Sequence, residues 1–274
     1  MNLETLKTDR DGAVLFVTIS APPMNLLGPA LVRDLVALIR QAEADAGLQV
    51  LVFKSADRDY FISHVDILRI AEYRQETVKL TGGEPSIGLL FRYLSASRLV
   101  TIAQIEGRAR GAGNEFVLAC DMRFAAQGSA IFGQPEVGFG LLPGAGGMQH
   151  LARLMGRGRA LEAVLSGEDF DAELAERYGW VNRALPAGEI DGFVASLARR
   201  ISGFPATARS LIKERINAIA LAPAEDFHRD SDLFGEAARD SETQARTTAA
   251  MARGFQTRDW EMDLARKLPE LAEH

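Results

Sequence analysis

Short apolar runs alternate with helical patterns along the first half of the chain, and this alternation constrains the fold more than any other feature. The apolar runs cover Ala13–Ile19, Gln49–Lys54, Val100–Ile105 and Asp121–Ala126. Helical patterns separate them, at residues 30–46, at 87–96 and from Ala112 onward. Because alternating strands pair in one layer and the helices cover it, the pattern predicts an α/β layered core.

Beyond Gly167 the pattern is helical, and only Trp180–Leu185 still favours a strand. Prolines at positions 186, 205 and 223 interrupt the helices, since proline lacks the amide donor and restricts its neighbour. From Pro205 onward the helices are amphipathic, so we expect them to pack against the core or against other subunits. We therefore predict a core over residues 1–204 and a C-terminal helical region over residues 205–274.

The charge balance is acidic, because 31 Lys and Arg face 37 Asp and Glu, for a formal net charge of -6. A nucleic-acid-binding protein needs a concentrated basic surface, whereas the basic residues here are interspersed with acids, so the charge argues against that class. Arg108 and Arg110 form a local basic pair. It has two interpretations, a solvated loop or a contact for a phosphate-bearing ligand.

Cysteine usage and hydropathy bear on location. The single cysteine, Cys120, cannot form an intrachain disulfide and has no metal-ligand spacing around it. No apolar run is long enough to span a bilayer, and residues 1–4 lack a basic segment followed by an apolar one. We expect no membrane association and a cytoplasmic location.

Glycines are concentrated between Gly107 and Gly113, after the strand that ends at Ile105 and before a helical pattern. The first turn of a helix leaves its N–H groups unpaired and carries the positive end of the helix dipole. The junction is therefore a candidate oxyanion hole. Packing and turn geometry are the alternative explanation for such glycines.

Two acids accompany this junction. Glu115 lies just inside the helix, and Glu136 follows in the segment Gly133-Gln134-Pro135-Glu136. Two carboxylates near an oxyanion hole can divide the roles of acid and base. Taken singly, Glu115 could merely complement the helix dipole, and Glu136 could be a surface turn residue.

A set of motifs extends well beyond the junction. It comprises Pro22-Pro23-Met24-Asn25, Phe61–Asp66, Ala119-Cys120-Asp121, Pro135-Glu136, Leu142-Pro143-Gly144-Ala145-Gly146-Gly147 and Gly179-Trp180-Val181-Asn182. Together these motifs closely resemble those of the crotonase superfamily, the enoyl-CoA hydratase/isomerase family. The resemblance implies a spiral of ββα units followed by helices that assemble homotrimers, commonly stacked as hexamers.

The same resemblance implies a chemistry. The backbone N–H groups of Val65 and Ala112 would hold the thioester oxygen of an acyl-CoA as its enolate forms. Glu115 would activate water for attack on Cβ of a trans-2-enoyl-CoA, and Glu136 would handle the proton at Cα. The CoA thioester is itself the substrate, so no metal or other cofactor is implied.

Three alternatives remain open at this point. Isomerases of the family generally keep only the acid that matches Glu136, whereas this chain keeps both acids. Another acyl-CoA lyase, hydrolase or decarboxylase would differ in the residues that line the acyl pocket. A catalytically silent acyl-CoA-binding protein would retain the scaffold without turnover.

The resemblance also places a set of residues around the substrate and its CoA portion: Asn25, Ser63, His64, Asp66, Ile67, Gly111, Leu142 and Gly144. His64 stands where the family usually has glycine. It would contact CoA or a polar substrate, restrict the pocket mouth, or be an exposed loop residue. Asn25 resembles a structural position, and Asp66 is expected to hold its own loop through side-chain-to-backbone bonds. Ala112 and Asn114 also depart from the commonest hydratase pattern, in which glycine and a small residue precede the acid.

Overall fold

The computed structural model describes residues 3–272. Among these residues the strands form two sheets, one of six strands and one of four. In chain order they are β1 Leu6–Asp11, β2 Val14–Ile19, β3 Val50–Ser55, β4 Tyr60–Ile62, β5 Val100–Ile105, β6 Arg108–Arg110, β7 Met122–Ala126, β8 Ile131–Gly133, β9 Asp169–Asp171 and β10 Arg183–Leu185.

The large sheet has the order β1-β2-β3-β5-β7-β10 and the small sheet the order β4-β6-β8-β9. Successive strand pairs β3–β4, β5–β6 and β7–β8 each place their first strand in the large sheet and their second in the small one, before a helix follows. From β2 to β10 the large sheet is parallel. This repeated turn confirms the predicted spiral of ββα units.

Helices cover the sheets and make up the C-terminal part of the described chain. They are α1 Pro29–Ala44, α2 Ile70–Glu76, α3 Ile87–Ala96, α4 Ala112–Ala119, α5 Gly147–Ser166, α6 Ala172–Tyr178, α7 Ile190–Ser202, α8 Ala206–Ala220, α9 Ala224–Ala237, α10 Ser241–Ala252, α11 Arg258–Glu261 and α12 Leu264–Lys267. Short 3-10 turns lie at Ile67–Arg69, Thr77–Lys79, Pro135–Phe139 and Pro269–Ala272.

The strands of the core follow the apolar runs within one or two residues, because these residues are buried between layers. Val14, Val17 and Ile19 of β2 are fully buried, as are Val50 and Phe53 of β3. Strand β1 was missed in the sequence. Five of its six residues are not buried, since it is an antiparallel edge strand joined to β2 by a tight turn.

The glycine-rich junction contains one more strand than the sequence indicated. Residues 108–110 form β6, which pairs with β4 and β8 in the small sheet. Arg110 is 1% exposed and pairs with Asp169, so the solvated-loop interpretation is wrong for this residue. Gly107 is required for this packing, because a Cβ there would lie 2.5 Å from the Asp59 carbonyl carbon.

The C-terminal helices differ in how they pack. Helix α9 packs against α3, whereas α8 has no buried residue. A separate apolar cluster gathers Phe139 with Phe255, Trp260 and Leu264. The boundary predicted between residues 204 and 205 falls between α7 and α8, and its status as a domain boundary stays a prediction. Within residues 3–272 no helix is long and apolar enough to cross a membrane, and the cytoplasmic location stays a prediction.

Candidate active site

A cavity of about 440 Å³ lies where the loops of the spiral meet the C-terminal helices. Its wall carries both predicted acids and both predicted oxyanion donors, namely Glu115, Glu136, Val65 and Ala112. Apolar side chains from α2, α3 and α9 and from Phe255 complete much of the remaining wall. The cavity therefore combines an apolar lining with a few convergent polar groups, as expected of a small-molecule site.

Glu115 is fixed by the start of α5. Its Oε1 accepts hydrogen bonds from the peptide N–H groups of Ala145, at 2.7 Å, and Gly147, at 2.9 Å. A Cβ at position 147 would come within 3.1 Å of the same oxygen, so glycine makes room for the carboxylate. Glu115 is 2% exposed. Burial raises its pKa to about 7, against the effect of the two N–H donors.

Glu136 lies in the 3-10 turn Pro135–Phe139 and is half-buried. Burial raises its pKa well above the ordinary value, and the charge of Glu115 raises it further. Its own peptide N–H and the amide of Gln134 act in the opposite direction. Since two N–H groups stabilise the Glu115 anion and Glu136 faces that anion, the geometry favours an ionised Glu115 beside a neutral Glu136.

The orientation of Val65 follows from its pairing with Leu27 in an isolated parallel bridge. Leu27 N–H donates to the carbonyl of His64 at 2.8 Å, and Asp66 N–H donates to the carbonyl of Leu27 at 3.2 Å. In a parallel bridge, the residue between two such bonds points its own N–H and carbonyl to the other side. The Val65 N–H is thus directed away from Leu27 and is free to meet a ligand.

Ala112 is the first residue of α4, where backbone N–H groups have no partner within the helix. The left-handed conformation of the turn falls on Gly111, with φ of 49°, so alanine at position 112 is accommodated without strain. Gly113 lets the helix touch β4, because a Cβ there would lie 2.0 Å from the Ile62 carbonyl oxygen. This contact holds the first turn of α4 beside the loop that carries Val65.

His64 is buried at 5% exposure and lines the cavity, so the interpretation as an exposed loop residue is wrong. Its Nε2 lies 2.8 Å from Glu261 Oε1, its Nδ1 lies 2.7 Å from the Val65 carbonyl oxygen, and its ring stacks on Phe255. Burial acts to raise the pKa of Glu261, but the interactions with His64, the Gln256 N–H and Arg110 together lower it.

A second contact ties the same loop to the C-terminal segment. Gln256 accepts a hydrogen bond from Ile67 N–H at 2.8 Å and donates to Asp66 Oδ1 at 3.2 Å. Asp66 also accepts from Leu68 N–H at 3.1 Å, as expected for a side chain that holds its own loop. The loop over residues 64–67 is therefore fixed from both sides.

The remaining predicted residues divide into two groups. Ile67, Gly111 and Gly144 line the cavity together with His64 and the four residues of the acid and oxyanion sets. The cavity wall does not include Asn25, Ser63, Asp66 and Leu142. Leu141 lines the cavity in place of Leu142. Asn25 instead bonds to Ser55 and to the Tyr60 and Phe61 carbonyls, so its observed contacts are structural. Any contact of these four with CoA stays a prediction.

Sequence reasoning missed the residues that the C-terminal helices bring to the cavity. Phe234, Thr243 and Phe255 line it although they lie 52 to 73 residues beyond the last motif, which ends at Asn182. Tyr73 of α2 also lines the cavity, although no motif singled it out. No local pattern marks such contacts, since tertiary packing alone creates them.

Comparisons with known proteins agree with this geometry. The model of the enoyl-CoA hydratase/isomerase family matches residues 9–258. The short-chain-enoyl-CoA hydratase of Clostridium acetobutylicum is 31% identical over 79% of this chain and 82% of its own. The 2,3-dehydroadipyl-CoA hydratase of Escherichia coli is 32% identical over 78% of this chain and 82% of its own.

A solved structure is more similar still. A protein of Streptomyces avermitilis that is provisionally assigned as an enoyl-CoA hydratase shares 54% identity and a TM-score of 0.96, over 98% of each chain. An enoyl-CoA hydratase of Mycobacterium avium subsp. paratuberculosis has a TM-score of 0.79 at 26% identity, over 92% of this chain and 97% of its own. With the spiral fold and the paired acids, these matches establish that the chain is an enzyme of the enoyl-CoA hydratase/isomerase family, in the crotonase superfamily.

Proposed function

We propose that this enzyme hydrates a trans-2-enoyl-CoA, and one observation carries the proposal. Glu115 and Glu136 line the same cavity as the N–H donors of Val65 and Ala112, and their surroundings favour opposite protonation states. Addition of water needs one group that accepts a proton and another that delivers one. An ionised Glu115 and a neutral Glu136 meet both needs.

In the proposed reaction, water adds to Cβ and negative charge develops on the thioester oxygen. The Glu115 carboxylate takes a proton from water, whose oxygen forms a bond to Cβ. The electron pair of the C=C bond moves through Cα to the thioester oxygen, where the N–H groups of Val65 and Ala112 stabilise the enolate. Glu136 then gives its proton to Cα, so the product is a 3-hydroxyacyl-CoA and the two carboxyl groups have exchanged roles.

The N–H donors supply the largest single contribution in this scheme. Negative charge develops on the thioester oxygen only as the enolate forms, so donors fixed by the Leu27–Val65 bridge and by α4 favour the transition state over the substrate. Loss of one oxyanion-hole donor costs about 3 to 4 kcal/mol in other enzymes. Because both donors are peptide groups, the backbone of Gly111 and of the Val65 loop determines their position.

The experiment that tests the proposal follows the ultraviolet absorbance of the conjugated enoyl thioester. Turnover of a short, a long and an aromatic 2-enoyl-CoA is measured for wild type, Glu115→Gln and Glu136→Gln. We expect turnover with at least one substrate and a loss of about 10²- to 10⁴-fold in kcat for either variant. Loss of activity in Glu136→Gln alone would indicate isomerisation, and binding of every thioester without turnover would indicate a silent acyl-CoA-binding protein.

We also propose that the enzyme assembles as a homotrimer, or as a hexamer of two trimers. Support comes from α8, whose apolar side chains remain exposed in the single chain. Leu211, Ile212, Ile216 and Ile219 are 54 to 83% exposed, and Phe204 before the helix is 50% exposed. An exposed apolar surface of this kind is typical of a subunit interface.

A further inference from the structure

A row of hydrogen-bonded side chains leads from Trp180 to the proposed acid. Trp180 Nε1 donates to Asn114 Oδ1 at 2.8 Å, and Asn114 Nδ2 donates to Gln134 Oε1. Gln134 Nε2 then donates to Glu136 Oε2 at 3.2 Å. Trp180, Asn114 and Gln134 are fully buried, so bulk water does not compete for these bonds.

Trp180 fixes the direction in which the hydrogen bonds of this row are donated. The indole N–H of Trp180 is a donor only, so the atom of Asn114 that it meets must be the amide oxygen. The NH₂ group of Asn114 then faces Gln134, which must present its oxygen. The NH₂ group of Gln134 is left for Glu136, and neither amide can turn over without losing a bond.

The two oxygens of Glu136 are therefore unequal. Oε2 faces the NH₂ group of Gln134, where a proton on this oxygen would oppose the donor. Oε1 lies beside Gly111, where a Cβ would come within 3.0 Å of it, and so lies on the side of the Ala112 oxyanion donor. We propose that Trp180, Asn114 and Gln134 form a polarised relay that keeps the transferable proton of Glu136 on Oε1.

This inference rests on the proposed function, in which Glu136 delivers a proton to Cα. It makes Asn114 and Trp180 positioning residues, because they act on Glu136 through Gln134. Asn114 is one of the positions at which this chain departs from the commonest pattern of the family. In the relay its amide connects Trp180 to Gln134, which a small apolar residue could not do. The ionisable side chains that line the cavity with Glu136 are His64, Tyr73, Arg74 and Glu115, and of these Glu115 acts on Glu136 through its charge.

The kinetic test is Trp180→Phe, which keeps an aromatic ring against Phe132 and Phe170 but removes the N–H donor. Without the indole donor the Asn114 amide can turn over, and Gln134 can turn with it, so that the Gln134 oxygen faces neutral Glu136 and accepts its proton. We expect kcat for hydration to fall about ten-fold with KM unchanged, and the basic limb of the pH profile to move to higher pH. Tyr178→Phe is the control, because it removes the hydroxyl donor of another aromatic side chain that packs against Phe170 but lies outside the row, and it should match wild type.

A second assay isolates the proton step. Exchange of the Cα protons of a saturated acyl-CoA in deuterated water needs ionised Glu136 and the oxyanion donors but no attack on Cβ. We expect this exchange to slow in Trp180→Phe, because Glu136 holds its proton more tightly when the Gln134 oxygen accepts it. If Trp180→Phe exchanged protons at the wild-type rate with the wild-type pH profile, the relay would be wrong. It would also be wrong if kcat for hydration fell but the basic limb of its pH profile stayed in place.

Nuclear magnetic resonance tests the relay without turnover. The protein has two tryptophans, so ¹⁵N labelling gives two indole signals, and Trp180→Phe identifies one of them. We expect the Trp180 signal of the unliganded protein to shift as Glu136 ionises, and this titration to vanish in Glu136→Gln and in Asn114→Leu. A signal that stays constant with pH, or that still titrates in Glu136→Gln, would overturn the relay even if the protein hydrates no tested substrate.

Discussion

His64 Nε2 lies 2.8 Å from Oε1 of Glu261, a residue 197 positions later in the chain. The contact joins the loop that presents the Val65 N–H to the C-terminal segment of the same chain. Phe255 stacks on His64, with ring centroids 4.7 Å apart, and Gln256 bonds to the next turn of the loop. The position of the oxyanion donor thus depends on a segment far outside the motifs.

Glu261→Gln should weaken both the fold and the reaction. The variant leaves buried His64 without its anionic partner, at a cost of about 1 to 3 kcal/mol in the free energy of unfolding. The looser Val65 loop should lower kcat/KM about ten-fold. Denaturant unfolding and steady-state kinetics measure the two effects, with Glu270→Gln as the control because Glu270 is exposed. Unchanged stability and unchanged kcat/KM in Glu261→Gln would show that the contact is dispensable.

Glu115→Gln should stabilise the protein at high pH and not at low pH. The pKa of Glu115 is about 7 in the folded protein against an ordinary value of 4.5, so the folded state holds this proton more tightly. The free energy of unfolding therefore falls as pH rises from 4.5 through 7, by up to about 3 kcal/mol. Removal of the charge should restore that amount at pH 8 and nothing at pH 4.

Thermal unfolding at the two pH values measures this difference. Glu176→Gln is the control, since it makes the same change on an exposed side chain of α6. An equal gain in stability at pH 4 and pH 8 would contradict the account, because the gain would then owe nothing to the ionisation of Glu115.

Gly113→Ala should displace α4 from β4. A Cβ at this position would lie 2.0 Å from the Ile62 carbonyl oxygen, a backbone atom that cannot move alone. We expect a loss of about 1 to 3 kcal/mol in stability and a marked loss of kcat, because Ala112 shifts with the helix. Gly158→Ala is the matched control, as no atom lies within 4 Å of a Cβ there. A Gly113→Ala protein with wild-type kcat would show that the close contact does not position the donor.

Replacement of Ile212 and Ile216 by lysine should dissociate the proposed oligomer. These side chains are 60% and 57% exposed in the single chain, and lysine at both would place charge in an apolar interface. Sedimentation should give a trimer or hexamer for wild type and a smaller species for the variant. Lysine at the exposed Ala46 and Ala187 serves as the control. A monomeric wild type would contradict the predicted assembly.

The fold was predictable where local pattern and tertiary role coincide. The buried strands β3 and β5 are mostly apolar and rich in β-branched residues, so the sequence pattern predicts them. Strand β1 is polar because an edge strand exposes most of its residues, and no apolar run marks it. The short strand β6 is hidden among glycines and arginines, since its burial comes from β4, β8 and the Asp169 ion pair.

Some site residues were likewise visible in local motifs, whereas others depend on tertiary contacts. Glu115, Glu136 and Ala112 belong to one contiguous stretch of motifs, which makes them visible in the sequence. Neither the His64–Glu261 pair nor the bond between Trp180 and Asn114 could be predicted, because each joins segments that only the folded chain brings together. Gln134 was within a recognised motif, but its role depends on which way its amide faces.

The most direct test of the central claim is hydration of the short, the long and the aromatic 2-enoyl-CoA in ¹⁸O-labelled water, followed by mass spectrometry of the products. We expect wild type to convert at least one of them to a 3-hydroxyacyl-CoA with one ¹⁸O atom on C3, and Glu115→Gln and Glu136→Gln to form that product at least about a hundred-fold more slowly. A wild-type rate of product formation by Glu115→Gln, or a wild-type enzyme that incorporates ¹⁸O from none of the three substrates, would contradict the proposed hydration.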